Sequence, residues 1–554
     1  MGVSRRTFLK AAALGAVGRG GLLDEAARSP RQTLYNGITL ASPWPPRNRS
    51  FSDLPVMPPY LIDRPAVVPI DVGRQLFVDD FLIEERTLNR TFHRADYHPA
   101  SPVLRPSTSW ERFDDSATRS HTRSNPTAMV FSDGVFWDPQ DHVFKMWYMG
   151  GYAQTACLAI SHDGLAWERP TFDVVPGTNI VHQELRDSNT VWLDLEAEPA
   201  ARYKMAWFNG SEGVLLLFVS RDGVHWTLVG RSGPTGDRST MFYNPFRQVW
   251  VFSLRDSDLP GFTGRYRRYF ESPQFPPSAA WKKDGPVLWT AADRQDPYRP
   301  YASGAQLYAL DCVAYESLLI GLFTMWHGES TDREKPNDLV VGYSRDGFHW
   351  WRPDRRPFIG VSEHVGDWNW ANVQSAGGCC LIVGDRLYFY VSGRQGIPGT
   401  DLPGVCSTGL ATIRRDGFAS VNDDPSSDPI RVGATGVRQL TTRPVRFSGR
   451  YLFVNADVSR GSLRVEVLDV NGRPIEPFSI GKSTPIGGVD GTRLAVTWDG
   501  RPTLAELAGQ PVRFRFTIDA GRLYSFWVSA SPRGASGGYL AAGGPGLAHT
   551  IDRP

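Results

Sequence analysis

Residues 220–226 read SRDGVHW, and nearly the same phrase recurs as SHDGLAW at 161–167 and SRDGFHW at 344–350, with a weaker copy, RRDGFAS, at 414–420. Asp followed by Gly suits a tight turn, because the carboxylate can accept nearby backbone N–H groups and Gly takes positive φ without strain. The four aspartates, Asp163, Asp222, Asp346 and Asp416, lie 59, 124 and 70 residues apart. The middle interval is about twice the others, and near its midpoint RYRRYFESPQFPPSAAWKKDG (265–285) reads as a degraded copy. Spacing of this kind marks a repeat architecture. A phrase present in every unit cannot be one active site. It predicts a structural staple, with the aspartates at equivalent turns and Trp167, Trp226 and Trp350 packed against neighbouring units.

Upstream of each phrase lie short runs rich in β-branched and aromatic residues, such as Phe144–Met149, Tyr203–Phe208, Val249–Leu254, Leu318–Trp326 and Leu387–Val391. Bounded by Gly, Asp and Pro, they read as strands of hairpins. A further short strand opens each unit. Four antiparallel strands in each of five units predict an all-β fold, a five-bladed β-propeller over residues 71–432. From 433 the phrase stops, and alternating strands with Asn471-Gly472 and Asp519-Ala520-Gly521 turns predict a β-sandwich over 433–554. The Pro-rich residues 31–70 read as an extended linker.

Residues 1–30 read as an export signal: Ser4-Arg5-Arg6-Thr7-Phe8-Leu9-Lys10 has the twin-arginine pattern, and the weakly apolar Ala11–Gly18 that follows is too short to span a membrane. The expected location is periplasmic or extracellular. A formal net charge of +2 gives no reason to expect a nucleic-acid partner, and no later stretch has the length of an integral membrane segment. The five cysteines are scattered and odd in number, which fits buried apolar residues better than a disulfide framework or a zinc site.

In a propeller the inner strands converge on a central channel, and their starts face one mouth. These starts read TRSHTRSNPT (118–127), RDSNT (186–190), GDRST (236–240), AQLYALD (305–311) and EHVGDWNWANVQS (363–375). Polar groups that converge in a concave place suggest a binding site. Asp187 and Asp237 open the second and third inner strands, where a turn-capping role also fits each. Asp311 and Glu316 share the fourth strand but, five residues apart, point to opposite faces. Asp311 is preferred for the channel, and Glu316 serves as the acid only if the strand is bulged. Glu363 and Asp367 precede the fifth strand, where solvated loop charge is the better reading. His121, Asn189, Arg238, Trp370, Asn372 and Gln374 are candidates to bond ligand hydroxyls or stack a ring. No spacing requires a metal or a cofactor.

With a C-terminal sandwich, this architecture resembles glycoside hydrolase family 32, the invertase/levanase group, and its relatives in families 43 and 68. LFVDDFLIE (76–84), FYNPFRQVWVFSLR (242–255) and VAYES (313–317) are similar to bacterial proteins classed as family-32-like. The resemblance implies hydrolysis of a glycosidic bond by two carboxylates with a third acid as helper, through an oxocarbenium-like transition state. The invertase motifs Asn-Asp-Pro-Asn-Gly, Arg-Asp-Pro and Glu-Cys are missing. Asn125-Pro126 lacks the Asp, Gln295-Asp296-Pro297 lacks the Arg, and Asp311-Cys312 has Asp for Glu. Two readings follow: an exported hydrolase of a furanoside-type saccharide, or a propeller that binds carbohydrate without cleaving it.

Overall fold

The computed structural model describes residues 32–112, 125–297, 299–423 and 438–554. It is built almost wholly of β-strands arranged as successive antiparallel meanders around a channel, a β-propeller. The first meander comprises Ala128–Asp138, Val143–Gly150, Thr155–Ser161 and Ile180–His182. The second runs Asn189–Leu193, Tyr203–Asn209, Val214–Ser220 and Thr227–Pro234; the third, Thr240–Asn244, Val249–Asp256, Tyr266–Ser272 and Val287–Ala291. Gln306–Glu316, Leu318–Trp326 and Asn337–Ser344 form the next, and Asn372–Gln374, Leu381–Val383, Arg386–Arg394 and Cys406–Arg414 the last. One parallel bridge, Asn337↔Asn372, fuses these two into a single sheet. The outermost strand of the last meander comes from far upstream: Asp96–Tyr97 pairs antiparallel with Cys406–Arg414. The ring is thus closed by chain from its own beginning. Middle strands such as Val143–Gly150 and Leu318–Trp326 are buried at every position, because meanders cover both faces, so they read as apolar runs without alternation.

The repeated phrase folds identically three times. Asp163 Oδ1 accepts the N–H groups of Leu165 and Ala166 at 2.8 Å, while Ser161 Oγ accepts the Gly164 N–H at 2.9 Å. Asp222 and Asp346 repeat this with Val224 and His225, and with Phe348 and His349. The staple to the neighbouring meander is the glycine. Gly164 has φ +77, its carbonyl accepts the Tyr390 hydroxyl at 2.6 Å, and a Cβ there would lie 2.7 Å from that oxygen. Gly223 has φ +80, its carbonyl accepts Trp147 Nε1 at 2.8 Å, and a Cβ would lie 2.5 Å from the indole. The tryptophans contribute less than the sequence suggested. Trp167, Trp226 and Trp350 are only half-buried, though Trp167 meets Tyr390 edge-on with centroids 5.5 Å apart. In the degraded copy, Trp281 is buried and donates to the Pro234 carbonyl of the preceding meander.

The C-terminal sandwich draws on three stretches of chain. One sheet orders Asp490–Ala495, Tyr451–Asp457, Arg522–Ser529, Ala419–Asn422 and Asn89–Phe92, with Gln75–Leu76 also on Arg522–Ser529. The other orders Ile83–Arg86, Gln439–Thr442, Arg513–Asp519, Ser462–Leu468 and Ile486–Gly487. Strands within 75–92 and 419–422 therefore pair with sandwich strands, although the sequence division placed them in the propeller. Their core is separate, centred on Phe77, Phe514, Phe516, Phe526 and Trp498. Residues 32–70 lie over both parts: Val68–Pro69 pairs with Val445–Arg446, and Asn36 Nδ2 donates to the Arg345 carbonyl. Among the described residues no helix is long and apolar enough to cross a membrane.

Where sandwich and propeller meet, a buried ionic cluster joins four parts of the chain. Arg74 Nη1 donates to Asp416 Oδ2 at 2.9 Å, and Glu316 lies 3.5 Å from Arg74 Nε and 3.0 Å from Arg415 Nη2. Glu316 also accepts from the Arg74 N–H and the Ser536 hydroxyl, and Asp416 from Asn455 and Ser525. Gly73 passes so close that a Cβ would sit 2.5 Å from the Glu316 carbonyl carbon. Burial pushes the Asp416 carboxyl up, but the charges of Arg74 and Arg415 and the hydrogen bonds of Tyr315 and Asn455 bring it down to about 2.

Two outcomes test this account. Gly223→Ala meets both a positive φ and an indole and should cost about 3 kcal/mol in urea unfolding, whereas Gly177→Ala, with φ +82 and open space, should cost about 1 kcal/mol. Equal costs would remove the staple. Glu316→Gln should cost about 3–5 kcal/mol by leaving Arg74 and Arg415 under-compensated in a buried place. Because Asp416 is held ionised, its contribution is complete above the unfolded carboxylate value near 4. It should be lost as pH falls from there toward 2, which acid-unfolding midpoints of Asp416→Asn against the parent will show.

Candidate functional site

The first inner strand is bulged where it lines the channel. Its register jumps between Met129 and Gly134, and Phe131 and Ser132 take φ of 21° and 67°. Such backbone persists where the surroundings dictate it, and it concentrates at functional sites. The bulge delivers Asp133 to a buried clamp: Arg186 Nη1 and Nη2 donate to its two oxygens at 2.6 and 2.7 Å, and Asn189 Nδ2 adds a third bond at 2.8 Å. It also puts the Phe131 ring 3.9 Å from the Arg238 guanidinium carbon.

Arg238 is the centre of the site. It is completely buried, its own φ is +57, and its backbone N–H donates to Ser188 Oγ at 2.8 Å. Among the described residues its Nε and Nη2 have no hydrogen-bond partner, and its Nη1 only a long contact of 3.5 Å with the Phe131 carbonyl. Yet its charge acts on Asp133, Asp187 and Asp311, and on Arg267 below it. Arg267 is held by Ser253 Oγ at 2.9 Å and by the Arg238 carbonyl at 2.8 Å; burial, with Arg238 adding like charge, lowers it to about 9, so it stays charged at neutral pH.

Asp187 and Asp237 meet beside Arg238. Burial raises the Asp187 carboxyl above the ordinary range, and the negative charge of Asp237 raises it further; Arg238, Lys335 and Arg186 oppose this. Asp187 Oδ1 is shut off from solvent with no partner among the described residues. Asp237 Oδ1 lies 3.4 Å from Arg255 Nη1, out of hydrogen-bond geometry. Asp311 lies deeper: Ser375 Oγ donates to its Oδ2 at 2.5 Å, its Oδ1 has no well-aligned bond among the described residues, and burial raises it against the pull of Ser375, Arg238, Arg267 and the nearby Ser132 hydroxyl.

The remaining candidates divide. Asn189 and Gln374 are buried with Asn189 Oδ1 and Gln374 Oε1 unpartnered, and Gln374 Nε2 donates to Asn372 Oδ1 at 2.8 Å. Asn372 Nδ2 in turn holds the Lys335 carbonyl at 2.5 Å. Trp370 is buried under the Arg333 guanidinium, 4.5 Å from its ring, so that face is taken and stacking a sugar there is excluded. Glu363 and Asp367 are exposed loop charges; Glu363 pairs with Arg299 at 2.7 Å. Glu316 does not reach the mouth. It ends the fourth inner strand at φ +51, at the far end from the mouth, and is consumed by the ionic cluster with Arg74 and Arg415. His121 lies outside the described residues.

Sequence reasoning missed Asp133, Arg186 and the buried pair of Arg394 with Glu334, whose two oxygens Nη1 meets at 2.9 and 3.0 Å. An Asp-Gly pair inside a strand, Asp133-Gly134, was the available sign of a bulge. Among the described residues no group of three or more His, Cys, Asp or Glu is placed to hold a metal ion.

What this arrangement can do follows from its unmet valences. Among the described residues Asp187 Oδ1 and Asp311 Oδ1 have no partner and feel the charge of Arg238, whose Nε and Nη2 are also unmet; Asn189 Oδ1 and Gln374 Oε1 are unmet as well. A hydroxyl both donates and accepts, so a polyol can satisfy both kinds at once.

No protein-family model matches the chain, and no curated protein matches it. Among solved structures it is similar to an N-acetylgalactosamine deacetylase from F. plautii, at 14% identity over 57% of this chain and 97% of that one, TM-score 0.39. It is also similar to a thermostable family-43 glycoside hydrolase, at 12% identity over 56% and 100% of the two chains, TM-score 0.38. A fructofuranosidase from Schwanniomyces occidentalis aligns at 12% identity over 76% and 98%, TM-score 0.35.

The raised carboxyls make a stability prediction. A carboxyl whose folded value lies above its unfolded one costs stability as pH rises past the unfolded value, since folding then opposes ionisation. Asp187→Asn and Asp311→Asn should therefore raise the thermal midpoint at pH 7 relative to the parent and converge with it near pH 3. A lower midpoint at pH 7 for both would contradict the assigned directions.

Proposed function

We propose that the protein is an exported glycoside hydrolase that cleaves a neutral saccharide at this channel mouth. The observation that carries the reading is the buried guanidinium of Arg238, whose Nε and Nη2 have no partner among the described residues, beside the unpartnered Oδ1 atoms of Asp187 and Asp311. Leaving such groups unmet is costly, and a ring with vicinal hydroxyls meets them together. Asp187 is the general acid, because burial and Asp237 favour its protonated form. Asp237 is its partner across the site, acting as nucleophile or as base on water. The proton goes from Asp187 to the leaving glycosidic oxygen as the C–O bond breaks. Asp311, held by Ser375, stabilises the positive charge that develops on the sugar. The clamped Asp133 keeps Arg186 and Asn189 in place behind them. The twin-arginine pattern at Ser4–Lys10 directs the folded protein out of the cytoplasm, and a furanoside-type substrate is the reading closest to the family-32 resemblance.

The test is release of sugar from a panel of neutral poly- and oligosaccharides. Asp187→Asn and Asp237→Asn should each lower kcat by about 10³-fold or more while leaving saccharide affinity within a few-fold of the parent. Full turnover in both amide variants would overturn the assignment. Binding by the parent with no cleavage of any member would favour a carbohydrate-binding propeller.

A further inference from the structure

At the opposite end of the inner strands lies a second concavity, a cavity of about 250 Å³. The second inner strand alone, Asn189–Leu193, separates the two ends by roughly 17 Å at about 3.3 Å per residue. The cavity is walled by Trp192, Phe136, Tyr243 and Tyr539, and its rim carries Gln248, Glu196 and Arg553. Its outer wall is the C-terminal tail. Tyr539–Leu540 pairs with the end of Gln306–Glu316, Ala542 bonds Cys380 and Trp137, and Thr550 Oγ1 donates to Glu196 Oε1 at 3.0 Å.

The rings are fixed before any ligand arrives. Trp192 meets Phe136 at 5.5 Å between centroids, Tyr243 rests on Trp250 at 5.2 Å, and Tyr539 meets Phe246 at 4.9 Å. The polar groups, by contrast, are uncommitted. Among the described residues the Tyr243 and Tyr539 hydroxyls, the Gln248 amide and the Arg553 guanidinium make no hydrogen bond or ion pair with the chain. Gln248 sits at φ +55 at the turn after Tyr243, which presents it at the rim. Of the two carboxylates, Asp194 is engaged by Lys204 at 2.7 Å and Glu196 by Thr550. Glu196 and Arg553 therefore put one charge of each sign at the rim, so net charge selects no ionic ligand. Preset aromatic faces ringed by free neutral donors and acceptors suit a molecule with an apolar C–H face and several hydroxyls.

We infer that this far-mouth cavity is a second, non-catalytic site that binds a neutral saccharide unit. It rests on the reading of the protein as acting on carbohydrate, and it adds a hold on polymer away from the cleavage point.

The experiment is native gel electrophoresis of the full chain through gels containing arabinan, levan, galactan or mannan, with cleavage of the same polymers assayed in parallel. Asp187→Asn should still be retarded by at least one polymer. Tyr243→Ala combined with Tyr539→Ala should weaken that retardation about tenfold, the loss expected for two stacking rings, while kcat on short oligosaccharides stays unchanged. Since that pair can loosen the tail, Tyr243→Phe with Gln248→Ala removes only polar groups and should weaken retardation in the same direction. Retardation unchanged in both variants overturns the inference. Cleavage of a polymer that fails to retard Asp187→Asn overturns it while leaving the catalytic reading intact. Failure to bind or cleave any of the four overturns the inference and counts against the carbohydrate reading as well.

Discussion

The ion cluster of Arg74, Glu316, Arg415 and Asp416 is the constraint on which the remaining architecture depends. Burying four charged groups is expensive, and it is tolerated only where each finds opposite charge and hydrogen bonds together. Here the partners come from the segment entering the propeller, the end of its fourth inner strand, the turn leaving its last meander, and the sandwich. Ser536 brings the C-terminal tail into the same cluster. None of these pieces can satisfy its charge alone. A second buried pair, Arg345 with Asp79 at 2.7 and 2.9 Å, ties the third copy of the repeated phrase to the same N-terminal stretch. Sandwich and propeller are therefore held by specific charge pairing as well as by apolar area.

That arrangement explains how much the sequence could reveal. The turn chemistry of Ser-x-Asp-Gly is local, so its three strong copies announced the meanders and their spacing directly. What the phrase does between meanders was less visible. The eye falls on the tryptophan, but the close approach is made by the glycine, which has no side chain to read. Strand pairing across hundreds of residues was harder still. Gln75–Leu76 and Asn89–Phe92 look like any short strands, and only their partners at 522–529 and 419–422 assign them to the sandwich. Glu316 was misplaced for the same reason: alternation along a strand tells which face a residue takes, not which end of the channel it reaches.

The site shows the opposite economy to the ion cluster. At the junction each charge faces an opposite charge, although Arg74 Nε and Arg415 Nε lack a hydrogen bond; among the described residues at the channel mouth Arg238, Asp187, Asn189, Asp311 and Gln374 have buried atoms left over. Asp187, Asp237 and Asp311 could be found from sequence because they sit at or near inner-strand starts. Asp133 could not, since it reaches the channel only through a bulge with two residues at positive φ. Folding energy from the apolar meanders supports this locally unfavourable arrangement, as is usual where a scaffold holds a polar site for a ligand.

On the proposed function, one sugar fills those leftover valences. The most direct test is a crystal structure of the Asp187→Asn variant with a saccharide that the parent cleaves or binds. A ring should lie at the mouth with hydroxyls within about 3.2 Å of both Arg238 Nη2 and Asp311 Oδ1 and with the glycosidic oxygen facing residue 187. A sugar bound elsewhere, with Arg238 and Asp311 still unmet or bridged by water alone, would contradict it.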